Sequence, residues 1–334
     1  MLENLCDVPG VLVGHATDRV GLTGCTAILF EWPAVVGMDV RGSSPETRGT
    51  AGLSHTGVVA RRHALLLTGG SAFGLAAVDG VMRFLEERDI GLDVGVARIP
   101  LVSAAVLFDL GTGDPKARPD AVMGYQAAAS AASGSFEQGS VGAGTGATVG
   151  NVLGTERAMK GGLGSASVRL DGGLVVAALA AVNAFGDVRD PQAGKTLAGP
   201  RREDGALGDT VELLGEATDR MRWGEYTTLG VVATNARLGK PQATKVAQMA
   251  HDGLARTISP VHTSLDGDVV FAASISEPAG EAAVRPPGAS VGVAAAPDVV
   301  GAWGARVIVE AIVRAIRFAK GTPGLPAASE VGQG

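Results

Sequence analysis

Fifty of the 334 residues are glycine, about twice the usual share. They follow no collagen-like period and form no low-complexity block. They sit among Ala, Val, Ser and Thr, as in Gly142-Ala143-Gly144-Thr145-Gly146. Glycine at that density favours closely packed sheets and many sharp turns. Aromatic residues make up only 4%, so the core has to be built from small aliphatic side chains. With 46% hydrophobic and 19% charged residues the chain has the material for one large core and is not disordered.

The formal net charge is −6, no stretch concentrates Lys and Arg, and stacking aromatics are scarce. No nucleic-acid partner is expected. Two cysteines, Cys6 and Cys25, make neither a disulfide framework nor a zinc site, which points to a reducing compartment. The first ten residues, MLENLCDVPG, carry no basic region followed by an apolar one, so no secretory signal is read there. The longest apolar run, 174–185, contains Asn183 and is too short for a bilayer. A cytoplasmic protein with no membrane partner is expected. None of the five histidines pairs in a metal-binding spacing, and no metal is expected; His251 and His262 read as local hydrogen-bond partners.

Along the chain, 10–16, 25–31 and 35–40 read as short strands. Apolar residues Leu75, Val78, Met82 and Leu85 predict a helix over 72–88 with Ser71 as its N-cap, and a second helix fits 120–132. Segments 165–170 and 174–183 read as a hairpin turning at Asp171-Gly172-Gly173. An exposed loop is expected over 191–208, then a helix over 210–223. Strands follow at 227–234 and 269–274, with helices at 244–258 and 298–320. Arg306, Glu310, Arg314 and Arg317 put one polar stripe on the last helix. No repeat or linker divides the chain, so one α/β domain over 1–334 is expected, with stacked sheets between helices.

Four motifs bear on chemistry. Gly69-Gly70-Ser71-Ala72-Phe73-Gly74 fails the G-x-S-x-G pattern at Phe73 and reads first as a glycine turn with Ser71 capping the next helix; only if the loop is functional do its backbone N–H groups face a substrate at the helix start. The 142–147 loop fits a dinucleotide fingerprint only formally, since no clean strand precedes it and no helix follows, and it reads as a structural or substrate-lining loop. In Asp266-Gly267-Asp268, extended backbone places both carboxylates on one face, which raises the pKa of one. Thr227-Thr228 opens a strand, and residue chemistry alone does not single out that peptide bond.

Together these segments resemble the DmpA-like family of self-processing aminopeptidases and amidases, peptidase family S58, to which the nylon-oligomer hydrolases also belong. The resemblance runs through 10–15, 24–26, 69–75, 103–110, 142–150, 160–165, 182–186, 227–235 and 262–271. Its most specific parts are T-T-L-G-V-V-A-T-N and H-T-x-x-D-G-D-x-x-F. It implies an αββα sandwich of the DmpA and ornithine-acetyltransferase type, similar to the N-terminal-nucleophile hydrolases. It implies self-cleavage between Tyr226 and Thr227 into fragments 1–226 and 227–334. By resemblance Thr227 is the nucleophile, Asn183 helps hold the oxyanion, and Asp266 and Asp268 orient the nucleophile and its amine. Gly70, Ser71, Phe108, Gly144 and Asn151 fall at lining positions. Phe108 stands where relatives carry Tyr, Asn151 where the nylon hydrolases carry Lys, and Tyr226 where Asn or Gly often precedes the cut. No cofactor is implied. Small peptides, amino-acid amides or esters are the implied substrates, and a homo-oligomer of tetramer size or larger the implied assembly. Linear amides of the nylon type, acyl transfer to ornithine, and a binding protein that never cleaves are the alternatives.

Overall fold

The computed structural model describes residues 3–216, 226–276 and 292–331. Nine strands form its main sheet: β1 (Val11–Asp18), β2 (Thr23–Val40), β3 (Thr47–Arg48), β4 (Arg61–Thr68), β5 (Val102–Val106), β6 (Gly162–Arg169), β7 (Val175–Asn183), β8 (Thr227–Thr234) and β9 (Val269–Ser274). Their order is β6-β7-β8-β9-β2-β4-β5-β3, with β1 also on β2. Five helices accompany them: α1 (Ala77–Glu86), α2 (Ala121–Ala129), α3 (Thr210–Glu216), α4 (Lys240–Thr257) and α5 (Pro297–Arg317).

The period-two alternation of strands sorts the apolar side chains into layers. On β7, Val176, Ala178, Ala180 and Val182 join a core with α4 and α5, through Val246, Leu254, Ile308 and Ile312. The alternate residues Val175, Ala177, Leu179 and Ala181 join Leu229, Val231 and Phe271. Ile28 and Phe30 of β2 and Leu65 and Leu67 of β4 belong to that same middle layer. The opposite faces of β2 and β4, with Ala27, Leu29, Ala64 and Leu66, pack on α1 and α2. Across the molecule the layers therefore run helix, sheet, sheet, helix. The long β2 links the two leaves: Cys25–Leu29 pair with β4, and Val35–Val40 pair with β9. The expected strands at 25–31 and 35–40 are thus one strand. Its register shifts between Leu29 and Ala34, around Pro33, which has no N–H for the ladder.

Glycine makes these layers close. At Gly80 of α1 an added Cβ would meet the carbonyl oxygen of Ala121, and at Gly124 of α2 that of Ala77, so the two helices touch backbone to backbone. Gly37 of β2 stands in the same way under the backbone of Ala243 and Thr244 in α4.

Several local expectations are corrected. The 72–88 segment opens as a 3-10 turn, Ser71–Ala76, before α1. Gly70 and Ser71 have φ of 81° and 53° as the chain turns off β4, and neither helix start carries a side-chain cap bond, so Ser71 is not the cap. Asp120 does cap α2, accepting the Met123 N–H at 3.0 Å. The 191–208 segment is no plain loop: Lys195–Ala198 pairs with Asp187–Asp190, which pairs in turn with Ile258–Ser259, and Leu197 and Ala198 are buried. α4 begins at Lys240 because Pro241 sits in its first turn, where proline is tolerated. Of the expected 210–223 helix, only Thr210–Glu216 falls within the described residues. On α5, Arg314 bonds Glu310 and Glu3, Arg317 bonds Asp190 at 2.7 Å, and Arg306 lies over Trp303. Among the described residues no helix is long and apolar enough to cross a membrane.

Candidate active site

β8 is central and buried along its whole length, and its β-branched residues suit that place. It starts at Thr227, which the antiparallel register sets opposite Asn183, the last residue of β7. On its other side β8 runs parallel to β9, and Tyr226 bridges to Asp266 just before β9. The topology therefore gathers Thr227, Asn183, Asp266 and Asp268 from three adjacent strand ends. All four are at most 5% exposed.

The Thr227 hydroxyl donates to the carbonyl oxygen of Tyr226 at 2.5 Å. The same oxygen accepts the Gly267 N–H at 2.9 Å. Gly267 has no alternative residue here: a Cβ would lie 2.5 Å from the Ser44 carbonyl oxygen and 2.8 Å from Thr227 Oγ1. The strand-like D-G-D segment is clamped by residues after β2, with the Asp266 carbonyl accepting the Ser44 N–H and the Asp268 carbonyl accepting the Arg41 N–H.

The two carboxylates have different partners. Asp268 accepts the Thr228 N–H at 2.7 Å with Oδ1, and with Oδ2 meets Nδ1 of His262 at 2.8 Å. Asp266 accepts the backbone N–H and the hydroxyl of Thr263 at 2.8 and 2.6 Å. Burial first, and then the charge of Asp268, push the Asp266 carboxyl up to about 6. Behind them His251 meets the His262 ring edge-on at 4.8 Å, and its Nε2 lies 3.1 Å from the Asp39 carbonyl oxygen.

Asn183 is held on both ends of its amide. Its Nδ2 donates to the Phe108 carbonyl at 3.0 Å, and its Oδ1 accepts the Thr148 N–H at 2.9 Å. The Thr148 hydroxyl also reaches Asn151 Oδ1 at 3.2 Å, and Asn151 donates to the Ala184 carbonyl. Phe108 and Asn151 line a small cleft beside Tyr226, together with Gly111, Thr112, Thr148 and Thr155.

The glycine loops stand further back. The Gly70 N–H is taken by Asp109 at 2.7 Å and the Ser71 N–H by the Leu107 carbonyl, so these donors do not face the cleft. Gly144 is buried, its N–H bonded to the Val141 carbonyl. The carbonyls of Gly144, Thr145 and Ala147 accept from Lys160 Nζ, a wholly buried ammonium. Burial lowers Lys160 to about 7 and raises Asp109 to about 6, more than their mutual attraction restores.

Sequence reasoning did not reach four contributors: the Gly267 N–H, Thr148, His262 as partner of Asp268, and the buried Lys160. A backbone donor leaves no composition signal. Lys160 did leave one, as a lysine inside the small-residue run 158–166.

The peptidase family S58 model matches residues 3–328, and the chain belongs to that family. An uncharacterised aminopeptidase of Mycobacterium tuberculosis is 39% identical over 351 residues, covering 97% of this chain and 96% of the relative. A 6-aminohexanoate-oligomer endohydrolase of Paenarthrobacter ureafaciens is 34% identical, over 81% of this chain and 74% of its own. Among solved structures, the L-aminopeptidase D-Ala-esterase/amidase of Ochrobactrum anthropi superposes with a TM-score of 0.71 at 21% identity. It covers 98% of this chain and 91% of its own, and is described as a variant of the Ntn hydrolase fold. A Burkholderia sp. β-aminopeptidase superposes with a TM-score of 0.68 at 24% identity, over 96% and 87% of the two chains. At these identities the two structures show the fold. Family and aminopeptidase relatives make this chain a peptide-bond hydrolase.

Proposed function

We propose that the chain cuts itself before Thr227 and then uses Thr227, as a new N-terminus, to hydrolyse short peptides, amino-acid amides or esters. The observation that carries this reading is the Thr227 hydroxyl at 2.5 Å from the carbonyl oxygen of Tyr226, with the Gly267 N–H on that same oxygen. In the first step Oγ1 bonds to the Tyr226 carbonyl carbon. Its proton passes to the Thr227 nitrogen, the C–N bond breaks, and residue 226 is left as an ester on Oγ1. The Gly267 N–H is poised for the oxygen that gains charge. Water then hydrolyses the ester, releasing Tyr226 as a carboxylate and Thr227 as a free amine.

That amine is the base for the second reaction. A threonine hydroxyl needs a nearby base, and an α-amine with a reference pKa of about 7.7–8.0 suits neutral pH. It takes the hydroxyl proton as Oγ1 attacks a substrate carbonyl, and gives it to the leaving amine. Asn183, opposite Thr227, contributes at the oxyanion, and Asp266 and Asp268 fix the ends of β8 and β9 on which the reaction depends. No step calls for a metal or organic cofactor. Intact mass under denaturing conditions tests the proposal. Two species that sum to the chain plus one water, the smaller beginning at Thr227, support it; a full-length species that hydrolyses amides without cleavage overturns it.

A second reading, hydrolysis of linear amides that are not α-peptides, is favoured by the name of the Paenarthrobacter relative. Parallel assays on amino-acid amides and on 6-aminohexanoate oligomers separate the two.

A further inference from the structure

Tyr226 is a buried aromatic residue at the position whose carbonyl faces the Thr227 hydroxyl. It is 8% exposed, and its ring lies 5.3 Å from that of Phe185, tilted by 44°. The two rings share a separate apolar cluster with Val152, Leu213 and Leu265, distinct from the three apolar cores packed between the layers of the sandwich. Phe185 follows Asn183 by two residues, and Val152 follows Asn151, so this cluster adjoins the residues gathered at Thr227.

Self-cleavage and substrate hydrolysis, as proposed above, pass through the same kind of ester on Thr227 Oγ1. In the first the acyl group is residue 226; in the second it is the substrate residue that donates its carbonyl. The acyl carbon is bonded to the same oxygen in both, so its side chain projects from the same point. We infer that the pocket formed by Phe185, Val152, Leu213 and Leu265, filled by Tyr226 in the uncut chain, receives the side chain of the acyl residue of the substrate, and that it selects aromatic and large aliphatic residues there. The inference rests on the proposed self-processing. It adds a substrate class: amides whose carbonyl belongs to Tyr, Phe or Leu rather than to Gly or Ala. Burying such a side chain favours the complex over that of a small residue by roughly 10-fold or more, as an apolar pocket discriminates between residues that differ by several methylenes.

The test is a panel of L-amino-acid p-nitroanilides of Tyr, Phe, Leu, Ala and Gly with the processed wild-type protein, followed by Leu213→Trp and Val152→Phe, which fill the pocket from two sides. The expected result is a kcat/KM for Phe or Tyr at least 10-fold above that for Ala, and a fall of at least 10-fold in that ratio in either variant. A wild-type preference for Gly or Ala overturns the inference, as does a ratio that neither variant moves. If both variants prove unfolded by thermal melting, the wild-type ratio alone decides, above 10-fold for and below it against. Failure of the parent reading looks different: the chain stays uncut and no p-nitroanilide is hydrolysed, which removes this inference with it. Cleavage before Thr227 with a preference for small acyl residues removes this inference only.

Discussion

The Thr227 hydroxyl and the carbonyl oxygen of Tyr226 stand 2.5 Å apart across the peptide bond that joins them. On the proposed reading, a nucleophile and its target carbonyl are thus neighbours before any substrate arrives. On the proposed mechanism, Thr227→Ala abolishes both the cut and hydrolysis, with a loss in kcat of about 10⁴-fold or more, as for nucleophile deletions elsewhere. Thr227→Ser keeps part of both. Mass spectrometry and an amide assay on the same samples read the outcome, and a cleaved Thr227→Ala protein contradicts the assignment.

Gly267→Ala places a methyl group 2.8 Å from Thr227 Oγ1 and 2.5 Å from the Ser44 carbonyl oxygen. The hydroxyl or the D-G-D backbone has to shift, and a misplacement of this size costs on the order of 100-fold in rate. Self-cleavage followed by gel over time should slow by about that factor. Overpacking also costs about 1–3 kcal/mol of stability, which a melting curve measures.

Asp266 sets a pH dependence. Its carboxyl, raised to about 6 by burial and by Asp268, is ionised only above that pH. Self-cleavage should therefore accelerate as pH rises through about 6, and Asp266→Asn should flatten that limb. For stability the sign is opposite. The folded protein holds this proton more tightly than the unfolded chain, so Asp266 contributes stability below its ordinary value of 3.8 and loses it as pH rises toward 6. Rates and denaturation midpoints across pH 4–8, wild type against Asp266→Asn, check both directions.

Lys160→Met keeps the length of the side chain but leaves the carbonyls of Gly144, Thr145 and Ala147 without their donor and removes the nearby positive charge that Asp109 feels. Leaving a buried acceptor without its donor costs about 1–3 kcal/mol. Urea denaturation should show a loss of that order. The double variant Lys160→Met, Asp109→Asn should lose less than the sum of the two singles.

His262 meets Asp268 Oδ2 at 2.8 Å and on the proposed mechanism acts through it; its φ of 58° is one that Asn tolerates better than most residues. His262→Ala should lower kcat about tenfold with little change in KM. His262→Asn should recover part of the loss. Steady-state kinetics on one amide substrate separate this positioning role from a substrate contact, which would raise KM.

Strands 227–234 and 269–274 are legible in the sequence because unbroken small and β-branched runs, once buried on both faces, have no other stable form. The 165–183 hairpin is legible through its Asp171-Gly172-Gly173 turn. The ends of helices were harder: the turn at Gly70 and Ser71 depends on left-handed backbone forced by the exit from β4, and propensity carries no record of it. In the sequence the single β2 looks like two strands, because Pro33 resembles an end when only local chemistry is weighed. At the site, D-G-D points to paired carboxylates, but which one gains the proton depends on burial that only the fold supplies. Lys160 and Asp109, which feel each other's charge in the buried interior, are 51 positions apart in the chain, beyond any spacing rule.

β8 and β9 lie between β7 and β2 in the sheet, so a cut before Thr227 would leave the middle of the sheet in one fragment and its flanks in the other. Folding of the uncut chain is a one-body event. After the cut it becomes a two-body encounter: refolding from denaturant should turn second order, and the melting temperature should rise with protein concentration. Processing would then act as a ratchet, with a fold that assembles easily once and reassembles only as fast as its halves can meet.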